Sequence, residues 1–168
     1  MAKLTVGYST PASITLDLTS LGSSSDFTAG RESTAVDNTT DKLIDALVSG
    51  SVAVGTGPTA NTVIAVYVYA QHDDTPTYQG VFDGTDSAET VTSAGVLSGV
   101  TRLLGTLSVD TTTSDRIYYL APSSVRACFG GTLPKRWGLF VSHNTGVALK
   151  STGNSGNFKY TGISLDAA

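Results

Sequence analysis

The stretch LPKRWGLFVSHNTGVAL, residues 133–149, holds the only tryptophan of the chain and its clearest strand signal. Large apolar side chains recur at every second position from Trp137 to Val141, which is the period of a β-strand. An Asn-Thr-Gly turn follows, and its Gly146 can take the left-handed conformation that closes a three-residue loop. The stretch therefore predicts a β-hairpin that returns through residues 147–149. Trp137 could serve as a glycan-stacking platform or an interface anchor, but packing in the core is the first expectation.

The composition of the whole chain is typical of an all-β protein. Charged residues make up 14% of the 168 residues, well below the roughly 25% of average soluble proteins. In place of charged residues the chain is rich in threonine, which favours strands, and in serine and glycine, which favour turns. A chain of this length can bury one hydrophobic core. We predict a single β-sandwich domain over residues 12–168, preceded by an N-terminal arm over residues 1–11 that orders on a partner.

Further strands are predicted wherever apolar residues alternate or β-branched residues cluster. These runs lie at residues 14–18, 41–49, 62–71, 101–109, 116–120 and 158–163. Residues 41–49 also fit a short helix, and we favour the strand because helix signals elsewhere are few. Residues 125–129 predict one helical turn, which Gly130 and Gly131 would end. About eight strands with one or two short helical turns predict an all-β fold, a β-sandwich of the jelly-roll type.

Charge and cysteine content exclude several classes of function. The formal net charge of −4 gives no electrostatic basis for non-specific binding to nucleic acid or to an anionic membrane. The single cysteine, Cys128, excludes an intrachain disulfide and a zinc site built from paired cysteines. The first residues lack the layout of a signal peptide, and no run approaches the length of a membrane span. We predict a protein made in a reducing cytoplasm, with no nucleic-acid partner, no membrane partner and no cofactor.

A glycine-rich loop, GTGPTA at residues 55–60, matches the dinucleotide-binding fingerprint on paper. Pro58 interrupts it, and the β-branched and aromatic run at residues 62–69 follows. The fingerprint requires a helix at that point, because the helix N-terminus holds the pyrophosphate. We therefore predict a strand–loop–strand connection.

The strand at residues 62–71 is apolar on both faces. Strands buried on both faces are expected in parallel sheets, but this chain lacks the helices that cover such sheets. The second face must therefore meet a loop, an arm or another subunit. This is the best indication of oligomerisation in the sequence.

No constellation of residues predicts catalysis or metal binding. His72 adjoins two aspartates and His143 lies beside the turn, but no nucleophile-elbow motif accompanies them. The loop at residues 72–89 is longer than ordinary connections and rich in acidic residues. Calcium would accept such oxygens, yet the EF-hand spacing is absent and solvated turn carboxylates are the simpler interpretation. We predict that the protein is not an enzyme.

Several segments together resemble a family of virion structural proteins from tailed bacteriophages. The similar segments are residues 30–38, 74–78, 81–91 and 133–149. The resemblance implies a small β-sandwich or jelly-roll protein of the phage particle, most like a capsid decoration (cement) protein. It implies a location on the capsid surface after synthesis in the host cytoplasm, the major capsid protein as partner, and self-association, with a trimer favoured. It carries no catalytic residues.

The candidate contacts with the capsid or with other subunits come from the arm, from residues 27–32, from the two-faced strand and from the acidic loop. They are Tyr8, Phe27, Arg31, Glu32, Tyr67, Tyr69, Tyr78 and Phe82. An alternative is a minor virion, fibre or baseplate domain that binds a host surface glycan, which would need exposed aromatic residues flanked by Asp and Asn. A third possibility, an enzyme acting on cell-wall glycans, needs two spaced carboxylates, and nothing singles out such a pair.

Overall fold

A computed structural model describes residues 3–75 and 77–167 of the chain. Their regular secondary structure is mostly β-strand, with two short helices. In chain order the elements are β1 (Leu4–Tyr8), β2 (Ala12–Ser13), β3 (Ala29–Glu32), β4 (Val36–Asp37), β5 (Asp45–Ala53), β6 (Thr62–Asp73), β7 (Thr77–Tyr78), β8 (Ser87–Thr90), α1 (Ala94–Val100), β9 (Arg102–Val109), β10 (Ile117–Ser124), α2 (Val125–Cys128), β11 (Arg136–His143) and β12 (Lys159–Ala167).

The strands lie in two antiparallel sheets that pack against each other. The five-stranded sheet has the order β1-β12-β5-β10, with β2 beside β12. The seven-stranded sheet has the order β7-β6-β11-β3-β8, with β9 beside β6 and β4 beside β11. Without β8 and the three two-residue strands, eight strands remain, and in chain order they lie 1-8-3-6 in one sheet and 5-4-7-2 in the other. This is the order of a jelly roll, so the predicted fold class is confirmed.

The main core fills the space between the sheets and is centred on Trp137, which is fully buried. Its ring meets the ring of Tyr160 edge to face, with the centroids 5.6 Å apart. Trp137 belongs to β11 of one sheet and Tyr160 to β12 of the other, so this contact joins the two layers. The expectation that the tryptophan packs in the core is confirmed.

The hairpin predicted after residue 143 is wrong. Gly146 does adopt a left-handed φ of 79°, but β11 is an inner strand, with β6 on one side and β3 and β4 on the other. Because both edges of β11 are occupied, residues 147–149 cannot return beside it. Leu149 instead forms an isolated bridge with Val54.

Most other predicted elements are confirmed with small changes of boundary. The strand predicted at residues 14–18 is wrong, because that stretch holds only an isolated bridge between Asp17 and Ser155. Residues 45–53 are a strand, the loop at residues 55–60 joins two strands, and α2 forms where one helical turn was predicted. The helix α1 was not predicted. It begins after Ser93, whose hydroxyl accepts a hydrogen bond from the Val96 N–H at 3.2 Å.

The predicted arm over residues 1–11 contains a strand of the sandwich. β1 pairs with β12 from Leu4 opposite Ala167 to Tyr8 opposite Ile163. Met1 and Ala2 lie outside the described residues. The first strand and the last strand of the jelly roll are therefore neighbours.

Truncation of the central tryptophan should destabilise the fold. We expect Trp137→Ala to lower the free energy of unfolding by about 3–5 kcal/mol, because it leaves a cavity between the sheets. The indole Nε1–H has no acceptor among the described residues, so Trp137→Phe, which removes that unpaired donor, should lower it by no more than about 2 kcal/mol. Denaturant unfolding followed by circular dichroism measures both. Equal losses for the two variants would contradict this account.

Candidate interaction surfaces

A second, smaller core covers the outer side of the seven-stranded sheet. Its buried members are Tyr69, Phe82, Val91, Leu97 and Phe140, with Phe27, Tyr67, Tyr78, Val81 and Val100 packed around them. Several of these residues lie between residues 78 and 100, in the segment that runs from β7 to the end of α1. The second apolar face of β6 is thus covered by the chain itself. Of the three covers that the sequence allowed, a loop, the arm or another subunit, the structure shows the loop segment.

Stacked aromatic rings hold this covering segment in place. The Phe82 ring lies parallel to the Tyr69 ring at a centroid distance of 4.7 Å, and it meets Phe140 edge on at 5.4 Å. Tyr78 meets Tyr69 edge on at 5.3 Å. The Tyr69 hydroxyl donates a hydrogen bond to the Ser33 carbonyl at 2.8 Å. The long loop predicted at residues 72–89 is therefore anchored to the sheet.

Glu32 is a fully buried carboxylate that fastens the same segment from β3. Its Oε1 accepts hydrogen bonds from the Gly84 N–H at 2.6 Å and the Asp83 N–H at 3.0 Å. The neighbouring Arg31 does not neutralise it, since the guanidinium donates to Asp86 at 2.7 Å. Burial raises the pKa of Glu32 to about 7. The charge of Glu32, and hence the strength of this fastening, changes near neutral pH.

The eight predicted contact residues fall into three groups. Glu32, Tyr69 and Phe82 are buried in the chain's own interior, so the prediction is corrected for them: a partner could reach them only if the second core opened. Phe27, Arg31, Tyr67 and Tyr78 are half-buried and already engaged in that core or with Asp86. Tyr8 is exposed. Of the eight predicted contact residues, Tyr8 is therefore the most accessible to a partner.

Most of the exposed large apolar side chains lie on one side of the molecule. Of the eight such residues in the described part of the chain, six belong to strands of the five-stranded sheet. They are Leu4, Val6, Tyr8, Ile117, Tyr119 and Leu165, and we call the surface that they share the outer face.

The strand register places all six on the side away from the main core. On β5, Val48 points into the core, so Asp45 and Ser51, at odd spacing from it, point outward. Asp45 lies opposite Ile163 and Ser51 lies opposite Tyr119. Directly opposed residues of antiparallel strands point to the same side. The remaining members follow from the two-residue period along β1, β10 and β12.

The outer face ends in a two-stranded ribbon that extends past the sheet. β12 pairs with β5 only as far as Ile163, and its residues 164–167 pair with β1 alone. Four ribbon side chains, Leu4, Val6, Tyr8 and Leu165, are between 51% and 69% exposed. An isolated two-stranded ribbon is marginally stable in water. Such a ribbon with an apolar side is a candidate contact surface.

Three of these four ribbon residues, Leu4, Val6 and Leu165, are not among the contacts predicted from the sequence. The alternation of Leu4, Val6 and Tyr8 was a readable strand signal. It was outweighed by the expectation of a flexible arm. Leu165 stands out only once its pairing with Val6 is known.

The acidic residues of the predicted loop are each engaged locally. Asp74 pairs with Lys135 at 2.5 Å, and Asp83 accepts a hydrogen bond from the Thr85 N–H at 2.8 Å. Glu89 accepts one from the Ser87 hydroxyl at 2.8 Å. Among the residues that the structure describes, no group of three or more His, Cys, Asp and Glu side chains is placed to hold a metal ion.

The two histidines lie near opposite ends of the paired strands β6 and β11, His72 on β6 and His143 on β11. His143, opposite Ile64, is buried between the Thr145 hydroxyl at 2.9 Å and the Leu21 carbonyl at 3.0 Å. Burial lowers the pKa of His143. His72 lies on the surface near the other end of the strand. The structure therefore assigns His143 to the interior of the fold and does not bring the two rings together.

A cleft of about 600 Å³ opens beside the start of β11. Arg136 lies on its wall and pairs with Asp37 at 2.7 Å, and Lys135 there pairs with Asp74. Hydrogen bonds from Thr39, and then the Arg136 guanidinium, lower the pKa of Asp37 to about 2. These charged groups are neutralised within the chain, so they do not by themselves form a site for an ionic ligand.

No model of a protein family matches the chain, and no curated protein matches it. Within residues 3–75 and 77–167, neither helix has the length and apolar character needed to cross a membrane.

The buried Glu32 carboxylate should make stability depend on pH. Its folded-state pKa of about 7 lies above the usual glutamate value of 4.5, so the folded state retains a proton that the unfolded state releases. The resulting stabilisation is fully present below pH 4.5 and is lost as the pH rises through 7. We expect wild type to lose about 2–3 kcal/mol of unfolding free energy relative to Glu32→Gln between pH 5 and pH 8.

Denaturant titrations of both proteins at several pH values measure this difference. A direct NMR titration of the Glu32 carboxyl carbon provides a second measurement that does not depend on how well the variant folds. A difference between the two proteins that stays constant from pH 5 to pH 8 would contradict the expectation.

Proposed function

We propose that the chain is a structural protein of a phage particle without enzymatic activity, a capsid decoration (cement) protein. It binds the outside of the head and stabilises contacts between subunits of the major capsid protein. The observation that supports this proposal most is the outer face, where six apolar side chains are exposed on one side of the molecule. Exposed apolar side chains of this kind are typical of an interaction site, and four of them, Leu4, Val6, Tyr8 and Leu165, lie together on the ribbon.

The outer face suits contact with a repeated surface. Full burial of an aliphatic or aromatic side chain contributes about 1.5–3 kcal/mol, and the ribbon side chains are already partly buried, so each would add about 1 kcal/mol. A single contact of this size is weak. On a shell, many copies bind at equivalent positions, and linked copies gain affinity because the second contact is intramolecular. Bridging neighbouring capsid subunits in this way raises the free energy needed to separate them.

Self-association would strengthen such binding. A homo-oligomer presents several outer faces at once. The proposed setting is the surface of the virion, reached after synthesis in the host cytoplasm. The low charged fraction and the many Thr and Ser residues suit a stable, exposed coat component.

The alternative of a glycan-binding fibre or baseplate domain has less support. It needs a platform of exposed aromatic rings. Trp137 is buried between the sheets, and Tyr78 is half-buried against Tyr69. Tyr8 and Tyr119 are exposed, but they lie on strands at opposite edges of the five-stranded sheet.

The test is reconstitution with shells. Purified protein is mixed with capsids that lack it and imaged by cryo-electron microscopy. We expect regular density on the outside of the shell, with the five-stranded sheet facing the capsid. Density only at the tail or neck, or none on the shell, would refute the proposal.

A pair of matched variants tests the surface that is responsible. Leu165→Ser alters the outer face, whereas Leu103→Ser alters an exposed leucine of similar accessibility on β9, in the other sheet. We expect Leu165→Ser to weaken shell binding at least about fivefold, which corresponds to about 1 kcal/mol per contact, and Leu103→Ser to bind as wild type does. Quantitative pull-down with shells measures both. Equal behaviour of the two variants would exclude the outer face as the contact.

A further inference from the structure

The two edges of the five-stranded sheet differ in how they are protected. Natural sheets guard their edges with charges, prolines, bulges or a covering segment. The β10 edge contains Pro122 and a shift of register between Leu120 and Ser123, and β9 lies alongside it. The β1 edge, Leu4–Tyr8, contains no charged residue, no proline and no shift of register. The β1 edge therefore has none of these protections in its own sequence, and it can pair with another strand.

Hydrogen bonding to β12 fixes which backbone groups of β1 are free. The Ser9 N–H donates to the Gly162 carbonyl at 2.9 Å. In an antiparallel pair, residues bonded to the neighbouring strand alternate with residues whose N–H and C=O point away from it. Counting back from Ser9, Thr5 and Gly7 face β12. The N–H and C=O groups of Leu4, Val6 and Tyr8 therefore point outward from the sheet.

We propose that β1 pairs with β1 of a second copy of this chain across a two-fold axis at Val6. In this register Val6 lies opposite Val6 of the second copy, and Leu4 lies opposite Tyr8. Each of these three residues can exchange both backbone hydrogen bonds with its counterpart. Their side chains share one side of the sheet, so the apolar rows of the two copies meet and the outer faces become continuous.

The pairing removes the weakness of the isolated ribbon. Two ribbons of two strands become a four-stranded sheet with the order β12-β1-β1-β12, which lies in the range that is stable in water. No charged side chain lies between Leu4 and Tyr8, so no like charges face each other near the axis. The contact is closed and self-complementary, as a two-fold interface must be.

The size of the contact predicts a reversible dimer. Three partly exposed side chains in each copy bury on the order of a few hundred Å² of apolar surface, less than the roughly 800 Å² per partner of a standard interface. Association should therefore be weak and depend on concentration. The partner strand is β1 of a second copy. When two β1 strands pair antiparallel, Leu4, Val6 and Tyr8 of one copy lie opposite Tyr8, Val6 and Leu4 of the other, so apolar residues face apolar residues.

Disulfide trapping tests the register. In a Cys128→Ser background, which removes the native thiol, Val6→Cys places two thiols opposite each other on the axis, within the Cα separation that a disulfide accepts. Thr5→Cys is the matched control, because its side chain lies on the other side of the ribbon and faces Gly7 of the second copy. We expect mild oxidation to convert Val6→Cys to a covalent dimer at least about tenfold faster than Thr5→Cys. Equal rates, or no dimer from Val6→Cys, would overturn the proposed register.

Sedimentation velocity over a wide concentration range tests the pairing itself. Wild type should shift from monomer to dimer as concentration rises. Val6→Lys, which opposes two ammonium groups at the axis, should remain a monomer over the same range, with its unfolding midpoint unchanged. Tyr119→Lys, which adds the same charge to the outer face at β10, should dimerise as wild type does. A wild type that stays monomeric or forms trimers, or a Val6→Lys that dimerises normally, would overturn the inference.

Both experiments use the isolated protein without shells. The two-fold pairing goes beyond the proposed capsid function and can fail while shell binding is observed. Conversely, a dimer that shows no binding to shells would refute the decoration proposal and leave the pairing intact. The two proposals are thus tested separately.

Discussion

The pairing of β6 with β11 is the interaction on which the rest of the structure depends. Seven residue pairs join the two strands, from Trp137 opposite Ala70 to His143 opposite Ile64. Both strands are apolar on both sides, so water must be excluded from two faces of one sheet. The five-stranded sheet covers one face and forms the main core. The segment that ends with α1 covers the other. Glu32 of β3 is buried beneath this segment, because its carboxylate accepts hydrogen bonds from the Asp83 and Gly84 N–H groups of the segment.

The sequence allowed the fold class to be predicted because the relevant signals are local. Alternation of apolar residues revealed most of the long strands, and the glycines after residue 129 marked the end of α2. Local signals gave a wrong prediction where the paired strands are far apart in the sequence. Residues 144–146 have the chemistry of a hairpin turn, but the neighbours of β11 come from residues 29–37 and 64–70, and tertiary pairing overrode the turn.

The candidate surface was less accessible to sequence reasoning than the fold. Tyr69 was predicted as a contact residue because its strand is apolar on both faces, and Phe82 because it lies in the long loop, whereas the stacking of their rings puts both inside. Leu4, Val6 and Leu165 become a surface only through the register of β1 against β12. Glu32 was predicted as a contact residue, and nothing in the sequence separates a buried carboxylate held by backbone N–H groups from a solvated one. Such features depend on which strands become neighbours, and a single sequence does not encode that locally.

The neighbourhood of β1 and β12 also has a kinetic meaning. The hydrogen bond between Thr5 and the carbonyl of Asp166 joins residues 161 positions apart in the chain. Closing a loop of that length is entropically unfavourable until the intervening strands are in place. We therefore expect the ribbon to close late in folding and, with neighbours on one side only, to open early by local fluctuation. On this expectation, only molecules in which the rest of the sandwich has formed present its surface.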